Sequence, residues 1–476
     1  MSAGRFAAGV RAALFEAHRC SIPSFADETT CSYRYFFIVN VALDGIGKDF
    51  PGSSLSVVSW VLNAYAIIFA ALLVPAGRMA DLWGRKKVLL GGIAVFTAAS
   101  VVCALAPDLG VLIGGRAVQA VGAAMIVPTS LGLLYPNFPA RQHTLVVGIW
   151  AGVAAVAASA GPPVGGLLVG VSWRWIFGIN LPIGVATVAA GILLIPEVRQ
   201  RPGARLPDVT SVVSLLAAVS LLVLATVEGP AWGWGDWRTI VLFVLAAASG
   251  LLTLQRTLRA WSPVIEKTLF TSRPFTAASI GLLLYLSGFS IFLLGTALFM
   301  QNVWHYSAIQ AGVGIAPAPI VSIGFAVSAG PIQRRFGRTI PAVVGTTAMA
   351  VAGLWWCFAV GQQPEYWCEM FPAMVVMGFS GGLSQAPMYA AAGTLAPDRA
   401  TTGSAVLNMS GQVGSAIGVS LLVALTATTD PLRGYDHAWV VQAGLGLAAT
   451  AFLLTLGQRR TPTDPGRNPE RSNHGS

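Results

Sequence analysis

The sequence predicts an all-α polytopic membrane protein with fourteen spanning helices. Three observations lead there. Of 476 residues, 55% are hydrophobic and only 10% charged, against about 25% charged in a soluble domain. The charges also avoid long stretches: residues 117–140, 142–173 and 274–333 contain no Asp, Glu, Lys or Arg. A crossing takes about 20 predominantly apolar residues, so each of these runs holds one or two crossings. Finally, Gly77-Arg78-Met79-Ala80-Asp81-Leu82-Trp83-Gly84-Arg85-Lys86-Lys87 sets four cations and one carboxylate between two apolar runs. A tight basic turn there marks a cytoplasmic connection. An outer-membrane barrel would read as short alternating segments, and these runs do not alternate.

The first expected span, 35–47, is short or defective. At ~1.5 Å per residue it reaches about 20 Å, against a hydrocarbon core of ~30 Å. Residues 1–34 form an atypical N-terminal segment without the pattern of a cleavable signal peptide. Spans 57–76, 88–106, 109–134, 143–170 and 175–195 complete a first six-helix half, 35–195. Segment 196–274 holds a two-helix insert, 209–227 and 238–255, with its cytoplasmic linkers. Spans 275–299, 308–330, 340–360, 368–392, 402–427 and 438–457 form a second six-helix half, 275–457. The tail, 458–476, is polar and rich in Pro and Arg, which suits a disordered cytoplasmic segment.

The formal net charge is +10. With both termini in the cytoplasm, only Lys48, Arg174, Arg238 and Arg433 fall outside, and Arg116 lies within a span. Acids do not segregate in this way. That asymmetry is the positive-inside bias of a multi-pass protein of the cell membrane, so the basic balance reports threading and argues against nucleic acid as a partner. The five cysteines and five histidines have no metal-ligand spacing. Neither a P-loop nor a Ser/His/Asp pattern is present. No enzyme activity, metal or cofactor is expected.

Several segments carry more than hydropathy. Gly77…Gly84-Arg85 recurs as Gly330…Gly337-Arg338, the kind of parallel repeat typical of transporters, although any tight basic turn attracts Gly and Arg. Asp81 can make charge-assisted bonds with Arg78 and Arg85, or sit against a helix N-terminus; the plainer reading is a solvated topology signal. Arg116, in Arg116-Ala117-Val118-Gln119-Ala120-Val121-Gly122, lies some 10 Å from the outer end of its span. Such depth costs several kcal/mol unless the guanidinium meets a wet cavity or a partner, or snorkels to the surface. In Gly161-Pro162-Pro163-Val164-Gly165-Gly166 the glycines make small-residue stripes for close helix contact and the prolines bend the helix. That combination suits a gate, or ordinary packing. Asn63, Tyr65, Gln119, Gln301, Asn408 and Gln412 are polar within apolar spans, so they either line a substrate cavity or bond helix to helix. Asp44 and Glu228 are the acids nearest to spans that could carry a proton.

Together with Ile38-Val39-Asn40-Val41-Ala42-Leu43, Trp173-Arg174-Trp175-Ile176-Phe177 and Glu228-Gly229-Pro230-Ala231-Trp232-Gly233-Trp234, these motifs resemble the major facilitator superfamily. Within it they are similar to the fourteen-span drug:proton antiporter branch, over residues 36 to 457. The resemblance implies a charged latch made by Asp81, Arg78 and Arg85, a proton-transfer role for Arg116, and an antiporter gate at Gly161, Pro162, Gly165 and Gly166. Four positions depart from the pattern. Leu82 stands where the family has a basic residue, Ala120 where it has glycine, Tyr35 in the slot of the first-span carboxylate, and Asp44 where proline is usual. Asp44 and Glu228 are the candidate substitutes. The implied function is export of small amphipathic or lipophilic compounds, drugs or antibiotics, across the lipid bilayer in exchange for protons, by a monomer using alternating access. The alternative is a degenerate, non-transporting membrane protein with a damaged first helix.

Overall fold

The computed structural model describes residues 46–47, 49–50, 55–138, 142, 146–147, 149–150, 153, 164, 168–195, 207–395, 399–426 and 431–457. No strand occurs among them. The helices are α1 Leu55–Trp83, α2 Arg85–Ala104, α3 Leu109–Asn137, α4 Arg174–Gly178 and α5 Asn180–Leu194. Next come α6 Val209–Trp232, α7 Trp237–Arg259, α8 Arg273–Asn302, α9 Ala308–Ile315 and α10 Pro317–Phe336. The last four are α11 Thr339–Ala359, α12 Phe371–Tyr389, α13 Ala400–Thr426 and α14 Pro431–Gly457.

Among the described residues, 10 helices are long and apolar enough to cross a membrane. They coincide with expected spans from 57–76 onward, α4 and α5 together forming one crossing. The expected span 308–330 is instead split between α9 and α10. Pro317 has no backbone N–H to donate, so it opens a new helix at its first position. The expected span 368–392 is assembled from a π-helical turn Tyr366–Met370, α12, and a 3-10 turn Ala390–Thr394. The segments 1–34, 35–45 and 458–476 lie outside the described residues, as does nearly all of 143–170.

The basic segment 77–87 is not a loop. Helix α1 runs through it to Trp83, and the chain turns at Gly84, whose φ is 106°. Gly337 makes the matching break between α10 and α11 at φ 78°. A residue with Cβ is strained at both angles, so the echo of Gly84 in Gly337 is one of geometry as well as of spelling. Elsewhere acids punctuate the chain. Asp108 accepts from Val111 N at 2.9 Å, Asp208 from Ser211 N at 3.0 Å and Asp236 from Arg238 N at 2.8 Å, as N-caps of α3, α6 and α7. Each cap satisfies a donor that the helix leaves open, worth about 1 kcal/mol.

Two bundles result. In the first, α3 packs on α1 and α2, and α2 on α5; in the second, α8, α11, α12 and α14 surround a shared core, with α10 on α12 and α13 on α8. In lipid, helices associate by close packing and interhelical hydrogen bonds, each averaging about 0.6 kcal/mol. Ser287 Oγ donates to Gly414 O at 2.9 Å between α8 and α13, and Thr346 and Thr450 share a bond of 2.8 Å between α11 and α14. An aromatic stack fills the second bundle: Phe292 lies over Trp356 with centroids 5.4 Å apart, and Phe299 meets Trp439 at 5.1 Å. The bundles meet where α13 packs on α1 and α3. Helix α6 lies against both α1 and α13, while α7 packs on α6 and leaves Val244, Leu251 and Leu258 exposed, as a lipid-facing helix does.

Outside the spans, Asp49 accepts from Trp173 Nε1 at 2.8 Å and pairs with Arg174 Nη1 at 2.5 Å. The Trp173 hydrogen bond, then that of Arg174, holds its carboxyl below the ordinary 3.8. A depressed carboxylate contributes stability above its unfolded pKa and loses it as pH falls through the folded one. The difference in tryptophan emission between the wild type and Asp49→Asn should therefore be constant above about pH 4 and collapse only below it. A transition in that difference near neutral pH would contradict the contact.

Candidate functional site

The polar end of α1 is buried because α13 covers it. Asp81 Oδ1 accepts from Arg85 Nε at 3.2 Å and Nη2 at 3.0 Å, a pair one helical turn apart that spans the Gly84 break. Its other oxygen accepts from Thr402 N at 3.1 Å and Thr402 Oγ1 at 2.8 Å. Thr402 lies in the first turn of α13, so Asp81 caps a helix of the other bundle and meets the positive end of its dipole. Arg85, with no exposed surface, also donates to Gly132 O at 2.7 Å. Arg78 turns elsewhere and donates to Glu266 Oε1 at 2.6 Å. Glu266 also pairs with Arg399 Nε at 2.9 Å. We call this end of the molecule the basic end.

The two bundles are pressed together around this network. Ser404 Oγ donates to Pro128 O at 3.2 Å, and Trp150 stands edge-on to Tyr389 at 5.5 Å. A Cβ added at Gly77 would sit 2.6 Å from Ala405 Cβ and 3.2 Å from Thr401 O. Gly77→Val therefore forces the bundles apart, at a cost of roughly 1–3 kcal/mol for overpacking. Its melting temperature in detergent should fall by several degrees; an unchanged melting curve would mean that the contact does not form.

Arg116 is fully buried inside the first bundle. Its Nε donates to Val61 O at 3.0 Å and its Nη1 to Gln119 Oε1 at 2.6 Å. The guanidinium lies 4.1 Å from the Tyr65 ring centroid, a cation–π distance. Gln119 Nε2 donates in turn to Ser100 Oγ at 2.7 Å, and Asn180 Nδ2 reaches the same hydroxyl at 3.2 Å. Arg116 thus finds partners within the helices and does not snorkel to the surface.

A family model described as Major Facilitator Superfamily matches residues 29–419, with a second match over 278–474. The chain belongs to this superfamily. Among relatives, the tetracenomycin C resistance and export protein of Streptomyces glaucescens is 33% identical over 319 residues, 67% of this chain and 59% of that protein. The methylenomycin A resistance protein of Streptomyces coelicolor is 33% identical over 431 residues, covering 88% of this chain and 86% of that one. The crystal structure of the human organic anion transporter MFSD10 superposes with a TM-score of 0.69, covering 92% of this chain and 99% of the other. At 12% identity it is the fold that the two share. The chain is thus a helical membrane protein of the major facilitator fold, similar to antibiotic-resistance proteins.

Within that fold the sequence candidates fall into separate groups. Asp81, Arg78 and Arg85 gather at the basic end; Arg116, Gln119 and Tyr65 form the second network. Asn408 is buried and donates to Ser404 O of its own helix at 2.9 Å, and Gln301 to Ala297 O at 3.2 Å. Asn63 and Gln412 are half-buried, and Glu228 is buried near the end of α6. Asp44, Gly161, Pro162, Gly165 and Gly166 lie outside the described residues. Sequence reasoning did not reach Thr402, Glu266, Arg399 or Ser100. Each is joined to its partner only by the tertiary fold, and no spacing in the chain announces it.

Proposed function

We propose that the chain is a secondary active exporter of small amphipathic or lipophilic compounds, such as antibiotics, driven by inward proton flow. The observation that carries this reading is the Asp81 bridge. A carboxylate on one bundle binds the first turn of a helix on the other. Polar, reversible contacts of this kind suit a gate that must break and re-form, whereas an apolar seam would not release. In this reading residues 35–195 and 275–457 are two six-helix halves, 196–274 is an insert between them, and the basic end faces the cytoplasm of a multi-pass cell-membrane protein. The bundles meet at that end, which this reading takes as a cycle state closed toward the cytoplasm. Alternating access follows when the halves rock about a substrate site near the bilayer midplane.

Arg116 supplies a fixed positive charge in the first half, which lowers the proton affinity of a carboxylate brought near it. Asp44 and Glu228 are the candidate carriers. The cavity polar groups would be Asn63, Tyr65, Gln119, Gln301, Asn408 and Gln412. The names of the relatives, resistance and export proteins, support the direction of transport. Efflux of a fluorescent drug from cells expressing the chain, with and without an uncoupler, tests the proposal. Accumulation equal to that of cells without the protein, when the chain is correctly inserted, would reject it.

A further inference from the structure

Glu266 lies in the linker between α7 and α8, outside the motifs that define the basic-end network, yet it touches both bundles. Its Oε1 accepts from Arg78 Nη1 at 2.6 Å, and its Oε2 lies 2.9 Å from Arg399 Nε. Arg78 belongs to α1; Arg399 immediately precedes α13. The carboxylate is only 16% exposed, while the side chain of Arg78 is 7% and that of Arg399 31% exposed. One acid between two guanidiniums is electrostatically matched to neighbours that would otherwise repel. Removing it leaves two cations facing each other across the seam.

The linker is built to hold the carboxylate there. Val264 and Leu269 are fully buried on either side of it, and Ile265 nearly so. Asp208 N donates to Ser262 O at 2.8 Å, which ties the linker to the start of α6, and Arg256 at the end of α7 stands 4.0 Å from the Asp208 carboxylate. The lever is therefore short: helices α6 and α7, a pinned linker, and one acid.

We propose that Glu266 is a positioning residue of the gate, an ionic clasp by which the two-helix insert helps hold the cytoplasmic side closed. The insert then takes part in the cycle as well as facing lipid. This rests on the alternating-access reading above, and the test separates the two.

Spin labels at Lys87→Cys in α2 and Arg335→Cys in α10, both exposed and outside the network, report the gate distance when the five native cysteines are replaced. Pulsed dipolar spectroscopy in vesicles then gives the populations of short and long distances. Glu266→Gln should shift the ratio toward the long distance by about tenfold, the effect of losing two charge-assisted contacts partly screened by solvent. Glu266→Arg should do the same. Glu266→Arg combined with Arg78→Glu and Arg399→Glu should restore the short distance, because a cation then stands at 266 between two acids. A purely structural role would not give this exchange rescue. Turnover should change while KM for the exported compound does not. A wild type that switches between distances while Glu266→Gln shows the same populations overturns the clasp and leaves the transport reading standing. One fixed distance in both, at every pH and drug concentration, overturns both.

Discussion

Asp81→Asn should lower the rate of drug efflux at least about tenfold while the amount of inserted protein stays the same. The substitution keeps the shape and removes the charge. Arg85 is wholly buried, so its guanidinium loses its counter-charge in a place that water does not reach. Breaking one side of a buried pair costs about 3–5 kcal/mol. An amide keeps one oxygen that can serve either Arg85 or Thr402, but not both, so the lower end of that range applies. The penalty falls on the state in which the bundles touch, because an open gate would let Arg85 hydrate. Since about 1.4 kcal/mol is a factor of ten in an equilibrium, closure becomes the slow step. Initial efflux rates normalised to surface protein decide the matter, and a wild-type rate removes Asp81 from the gate.

Arg116→Ala and Arg116→Lys should both abolish drug-dependent proton movement in vesicles. The lysine variant is the informative one, since it keeps the charge and loses the fork. A guanidinium reaches Val61 O and Gln119 Oε1 with two nitrogens while lying flat on Tyr65; an ammonium cannot make that set together. Two charge-assisted bonds at about 1.5–3 kcal/mol each are at stake. Vesicles loaded with a pH-sensitive dye should show no drug-triggered signal for either variant. Proton movement retained in Arg116→Lys would mean that charge alone suffices and that the network of Gln119, Ser100 and Asn180 is scaffolding.

The sequence carries these two networks unequally. Arg116 with Gln119 within one helix, and Asp81 with Arg85 across the Gly84 break, are only three and four residues apart, so nearness in sequence offers the pairing. Thr402 stands 321 residues from Asp81, and no periodicity links them. The same holds for Glu266, which reads as one more charge in a basic turn. Crossing helices were legible because lipid demands long apolar runs. The end of α1 was not, because residues 77–83 carry a glycine and two charges and yet stay helical under the cover of α13. What could be read there was the residue that ends the helix, Gly84, and its counterpart Gly337.

Helix α6 leans on α1 and on α13 at once, and Ser420 Oγ donates to Thr226 O at 2.5 Å across the second of these contacts. If the two bundles swing relative to each other, α6 can ride with one of them only, and must slip along the other on every stroke. Sliding surfaces dissipate work, so in that case this helix would act as a brake whose grip depends on how smooth its flank is. Substitutions on that flank, far from any drug, would then set how fast the machine idles.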